Sequence, residues 1–210
     1  TTRLASLFFL RIRPPPRSTH FPTRRSSNLD AVTWQSSDPT VTPNLLVRKN
    51  VDAIAGFYFT SLLNLEARGA KADDLVIFPY AQYGVDLYGN SIIVSKNMQE
   101  THPEAIKAFL RAFNKAVKET LADPAAAVQY VKAQDSLINT QLETRRLQMA
   151  FDQLVVTPES KKIGLGDVDP ARMQRSITEV VEAFGLKNTP DMSDIFTSAF
   201  LPPRAERDVP

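Results

Sequence analysis

Four helix starts are written into residues 101–185, and they limit what the second half of this chain can fold into. Thr101 with Glu104 and Thr140 with Glu143 both fit the pattern in which a cap hydroxyl and a carboxylate three residues on satisfy the first free N–H groups. Asp123-Pro124 and Asp169-Pro170 place an acidic cap before a proline whose missing N–H costs nothing in the first turn. After the first start, Ile106, Phe109, Leu110, Phe113, Val117 and Leu121 recur at helical spacing, which predicts one apolar face. After the last, Gly185 supplies a stop. The second half is therefore read as helical.

Residues 30–97 read differently. "DAVTWQ", "VDAIAGF", "DLVIFPY" and "LYGNSIIVSKN" are short apolar or β-branched runs bounded by turn residues, and each predicts a strand. "VDAIAGF", a continuous run closed by glycine, suits a buried parallel strand. Between them, "TPNLLVRKN" and "YFTSLLNLEARG" predict helices, the second ending at Gly69. Strands alternating with helices at this spacing indicate βαβ units, so the fold class is α/β.

The 210 residues carry a formal charge of +2, which invites a nucleic-acid partner until the charges are located. Residues 1–29 contain six arginines and no acid; the other 19 basic and 23 acidic residues leave a net of −4. The basicity belongs to the leader, and a nucleic-acid role goes with it. "LASLFFL" is a short apolar patch, but arginines follow where a secretory cleavage site would need small residues. "FPTRRSSN", residues 21–28, resembles translated sequencing-adapter DNA, whose reading F-P-T-R-R-S-S-D differs only at Asn28. Residues 1–29 are accordingly expected to be a disordered, non-native leader, and the genuine chain is expected to enter near Asp30.

Much catalytic chemistry is excluded by composition. There is no cysteine, so thiolate nucleophiles, thiolate metal sites and disulfides are all absent. The two histidines are His20, in the leader, and His102, in the first turn of a predicted helix, so no metal site of the usual type is expected. "GLG" at 164–166 lacks the third glycine and the preceding strand of a dinucleotide loop. Arg145-Arg146 reads as a solvated helix face. What remains is aromatic. "AGFYF" and "FPYAQYGVDLYGN" place Gly56, Phe57, Tyr58, Tyr80, Tyr83 and Tyr88 at or just beyond strand ends. In open α/β sheets that is where ligands sit, and tyrosine there can stack on a flat solute and hydrogen-bond it. The same rings could equally pack a helix against the sheet.

At "VDAIAGFYFTSLLNLEARG", "PYAQYGVDLYGNSIIVSKN", "HPEAIKAFLRAFNKAVKETLADPAAAV" and the closing "IFTSAFLP", the chain resembles the ABC-transporter solute-binding proteins of the nitrate/sulfonate/taurine and thiamine-precursor group. The resemblance covers about residues 30–210 and corresponds to the later part of such a receptor. It implies a partial periplasmic-binding-protein type 2 fold: residues 30–75 in the second α/β lobe, and residues 76–210 as the crossover strand and the C-terminal helical part of the first. It also implies a monomer that captures a small solute in an interlobe cleft and hands it to permease subunits. The location implied is periplasmic or lipid-anchored, and no cofactor is required. The cleft residues carried over are those around Gly56, Phe57, Tyr58 and Tyr83. Pyrimidine-binding relatives carry Trp-Glu shortly after the glycine, where this chain has "YFTSL". The alternative implied by the same fold is a pyrimidine-synthase-like enzyme that consumes its own histidine and uses a cysteine-rich motif, groups this chain lacks.

Overall fold

The computed structural model describes the backbone of residues 8–12 and all of residues 32–210. The adapter-like residues 21–28 lie outside the described residues. The chain divides into two compact units, one ending at Tyr83 and the other running from Gly84 to Pro210. The division falls later than the 75/76 boundary expected from sequence.

The first unit is a three-stranded sheet with two helices. Its strands are β1 (Phe8–Ile12), β2 (Ala53–Gly56) and β3 (Leu75–Pro79), in the order β2-β1-β3. β1 pairs antiparallel with both neighbours, so β2 and β3 run in the same direction with β1 between them. The expectation of directly paired parallel strands is corrected: parallelism survives only between strands that do not touch. Within the leader, Phe8–Ile12, expected to be disordered, form the central strand. β2 and β3 each leave a row of backbone donors and acceptors facing the gap, and an extended segment that pairs with both satisfies them.

Helices α1 (Thr42–Val47) and α2 (Tyr58–Glu66) supply the apolar counterpart of this sheet. Leu46, Leu63 and Leu65 are fully buried, and Ile54, Leu62 and Leu75 nearly so. Arg68 binds the two helices together, donating from Nε to Asn44 Oδ1 (2.6 Å) and from a guanidinium nitrogen to the Asn64 carbonyl (2.8 Å). α2 stops at Glu66, and Gly69, at φ 88°, turns the chain toward β3.

Two predicted strands do not form. "DAVTWQ" is irregular over its described part, with Trp34 70% exposed, and residues 85–95 have no regular structure, with Ile93 89% exposed. Among the described residues neither segment joins the sheet, and alternation alone does not make a strand.

The second unit is helical: α3 (Lys96–Thr101), α4 (Pro103–Ala122), α5 (Pro124–Gln134), α6 (Thr140–Ala150), α7 (Pro158–Ile163), α8 (Pro170–Phe184) and α9 (Met192–Ile195). α6 runs on into a π-helical turn, Phe151–Val155, anchored by buried Phe151. The Asp-Pro starts form as read: Asp123 accepts from Ala126 N (2.9 Å), Asp169 from Arg172 N (2.8 Å), and Gly185 closes α8 in the left-handed region at φ 58°. The two threonine boxes do not form. Thr101 instead ends α3, its hydroxyl bonding back to Asn97 O (2.7 Å), because Pro103 takes the first helical position of α4 and moves the cap to His102. In α6 the cap is Asn139, accepting from Leu142 N (3.1 Å), one residue earlier than Thr140. Along α4 only Ile106 of the predicted face is buried; Phe109 and Phe113 stack on each other at 6.3 Å while staying exposed.

The C-terminal residues fasten this unit. Arg207, 7% exposed, donates to the carbonyls of Pro202 (2.9 Å), Ile163 (3.2 Å) and Leu165 (3.1 Å) and pairs with Asp167 (3.2 Å). This explains the "GLG" stretch. A Cβ on Gly164 would stand 3.0 Å from Arg207 Nη1 and 3.1 Å from Arg204 Cδ. Gly164 clears room for two arginine side chains rather than for a phosphate.

Candidate functional site

The register of the sheet brings most of the predicted aromatic residues to one edge. Gly56, the last residue of β2, and Pro79, the last of β3, both stand opposite Phe8 of β1. The two strands therefore end level, about 10 Å apart at a strand spacing of ~4.8 Å. Phe57 and Tyr58 leave the sheet from one end point, and the 3₁₀ turn Tyr80–Tyr83 leaves from the other. Five of the six predicted residues, Gly56, Phe57, Tyr58, Tyr80 and Tyr83, thus lie along the carboxyl edge of β2 and β3.

Each is placed by local structure. Phe57 is the N-cap of α2, with extended backbone and no side-chain cap bond, so Tyr58 occupies the first helical position. The rings of Phe57 and Phe59 lie 5.4 Å apart, and that of Tyr83 lies 6.0 Å from Phe78. Phe57, Tyr58 and Tyr80 are half-buried, whereas Tyr83 is 58% exposed. Burial pushes the Tyr80 phenol above its ordinary value of 10.0, so at neutral pH it remains a hydrogen-bond donor. Gly56 is required by a close approach: a Cβ there would fall 2.6 Å from Ser61 Oγ, one turn into α2. Chemically the edge is an aromatic platform with phenolic donors. No group of three His, Asp or Glu side chains able to hold a metal occurs among the described residues.

Tyr88 does not belong to the unit that holds these five. It lies in the helical unit, where its hydroxyl donates to Glu159 and accepts from Asp169 N (2.8 Å), and the Arg172 guanidinium covers its ring at 4.2 Å. Burial first, then the bond to Glu159, pushes the phenol up to about 12. Burial alone would raise the Glu159 carboxyl, but the bonds from Tyr88 and Arg172 outweigh it and hold it below 4.5. Tyr88 is thus engaged within the protein. Sequence reading missed its partners, because residues 86, 159 and 172 share no linear spacing. Arg146, read as solvated, is mostly buried and pairs with Glu143 at 3.0 Å. His102 is exposed, its Nδ1 2.7 Å from Thr101 Oγ1. Two grooves lie within the helical unit. One, about 330 Å³, is lined by α4 and residues 200–203; the other, about 530 Å³, by α5 and α6.

Comparison with known proteins gives a consistent result. The NMT1/THI5-like family model matches residues 24–127. The riboflavin-binding protein RibY of Chloroflexus aurantiacus is 28% identical over 163 residues, 75% of this chain and 44% of that protein. The chain thus spans less than half the length of this relative. No solved structure matches. No helix among the described residues is long and apolar enough to cross a membrane.

Proposed function

From the premise that residues 24–127 belong to the NMT1/THI5-like family, we propose that the chain is part of the substrate-binding component of an ABC importer. In this reading the protein captures a small organic solute outside the cytoplasm, as a monomer, and delivers it to permease subunits. Capture is by enclosure and needs no covalent chemistry. The observation that carries the reading is the level ending of β2 and β3, which lines up Gly56, Phe57, Tyr58, Tyr80 and Tyr83.

That edge selects among solutes. The oxyanions of sulfonate, taurine and nitrate are met by a tyrosine through its hydroxyl, whereas a flat heterocycle also presents a broad apolar face on which the rings can stack. A pyrimidine-like ring or a larger flat ring system is therefore favoured, and the riboflavin in the relative's name is of this kind. Gly56 lets α2 begin close against the end of β2, and the exposed Tyr83 phenol supplies a donor for ring oxygens and nitrogens. Tyr88, engaged with Glu159 and Arg172, supports the fold rather than the solute.

Calorimetry on the longest natural form of the protein containing this chain tests the proposal, with riboflavin, a substituted pyrimidine and taurine as titrants. A flat heterocycle is expected to bind, and Phe57→Ala, Tyr58→Ala and Tyr83→Ala to weaken it roughly tenfold or more, the loss of one stacking contact. Undiminished affinity in all three variants would remove these residues from the site.

A further inference from the structure

Between the 3₁₀ turn that ends at Tyr83 and the start of α3 at Lys96, the chain has no helix or strand to hold it. The boundary between the two compact units falls at the start of this stretch, between Tyr83 and Gly84. Gly84 is at φ 91°, a conformation that other residues rarely adopt, and nothing lies within 4 Å of where its Cβ would be. Val85 is 43% exposed. Two residues later the environment changes abruptly.

Arg172 of α8 grips the next three residues with three donated hydrogen bonds and the face of its guanidinium. Nη2 donates to Asp86 Oδ1 (2.8 Å) and to the Leu87 carbonyl (3.2 Å), and Nε to the Asp86 carbonyl (3.3 Å). Its plane covers the Tyr88 ring, and Nη1 donates to Glu159 Oε2 (2.9 Å), which ties in the start of α7. Tyr88 closes the circuit by donating to the other Glu159 oxygen while accepting from Asp169 N. The side chains of Arg172 and Glu159 are only 22% and 24% exposed, so solvent competes weakly for these bonds. A planar fork with fixed donor directions can hold two backbone carbonyls, two carboxylates and a ring at once; a lysine could not.

We infer that Arg172 is a clasp that fastens Asp86–Tyr88 to the α7–α8 corner, confining the chain's freedom at the unit boundary to Gly84 and Val85. The clasp is a positioning device. It sets where the helical unit begins to hold the chain, whatever solute the protein carries.

Backbone ¹⁵N relaxation and amide exchange on this chain test it. In the unsubstituted protein, heteronuclear NOE values should be low at Gly84 and Val85 and rise to the level of the helices from Asp86 to Tyr88. In Arg172→Ala those three residues should fall to the level of Gly84. The Asp169 amide, which bonds the Tyr88 hydroxyl and the Glu159 carboxylate, should exchange roughly tenfold faster once that circuit opens, while amides within α4 keep their protection. If Arg172→Ala loses the α4 protection as well, Arg172→Lys decides, since it keeps the charge and removes the fork. Residues 86–88 as mobile as Gly84 in the unsubstituted protein would overturn the inference. So would residues 86–88 unchanged in the variant that retains α4.

Discussion

At the scale of single residues, two positions are set by close approach and one cluster by proton affinity. Gly56→Ala would push a methyl group against Ser61 Oγ at 2.6 Å. Ser61 is buried, and a loss of about 1–2 kcal/mol is expected. Ser61→Ala removes the oxygen and leaves its Cβ 3.9 Å away, so the double variant should recover most of that loss in a urea-unfolding cycle. If the losses simply add, the contact is not the cause. The Tyr88–Glu159 pair predicts pH limits. Glu159, held below 4.5, prefers its ionised form when folded, so its contribution is full above that value and lost as the pH falls through the lower folded value. Tyr88, pushed up from 10.0 to about 12, contributes fully below 10.0 and loses the contribution as the pH rises through about 12. The urea midpoint should fall more steeply between those alkaline values for the unsubstituted protein than for Tyr88→Phe. Parallel curves would mean that Tyr88 does not titrate with unfolding.

At the scale of elements, caps separate what local sequence can specify from what its neighbours override. Asp123, Asp169 and Asn139 each bond an N–H of the helix they precede, so replacing any of them with alanine should cost about 1 kcal/mol. Thr101 and Thr140, which the pattern picks out, cap nothing, and their alanine variants should cost well under half of that. Thermal midpoints of the five variants test the assignment, and a large loss at Thr140 with none at Asn139 would reverse it. The same logic explains α4. Its apolar stripe is genuine, yet Phe109 and Phe113 stay exposed because helical spacing says which residues share a face and not whether anything covers that face.

At the scale of the whole molecule, each unit has its own core and its own anchor. The sheet unit rests on Leu46, Leu63 and Leu65, and the helical unit on Ile106, Val128, Phe151 and Ile177 with Arg207 at its C-terminal end. Leu63→Ala should cost about 3 kcal/mol. It should raise exchange in α2 and leave α8 untouched. Arg207→Ala would leave Asp167 and three carbonyls without their partner and should cost about 3 kcal/mol, seen in α7 and α8 and not in α2. Exchange rising across both units in either variant would mean that they unfold as one.

Local signals in the sequence were sufficient for the α2, β2, β3, α5 and α8 segments, because each carries its own period, cap or stop. They were also sufficient to place Gly56, Phe57, Tyr58, Tyr80 and Tyr83 at strand ends, since those residues directly follow apolar runs. Only the tertiary structure decided that β1 would occupy the place between β2 and β3, that the described parts of "DAVTWQ" and "SIIVS" would stay outside the sheet, and that Tyr88 would turn to Glu159 and Arg172. The reason is physical: a strand is completed by a partner elsewhere in the chain, and an ion-pair circuit by groups brought together from residues 86, 159 and 172. Neither leaves a mark in nearest-neighbour spacing.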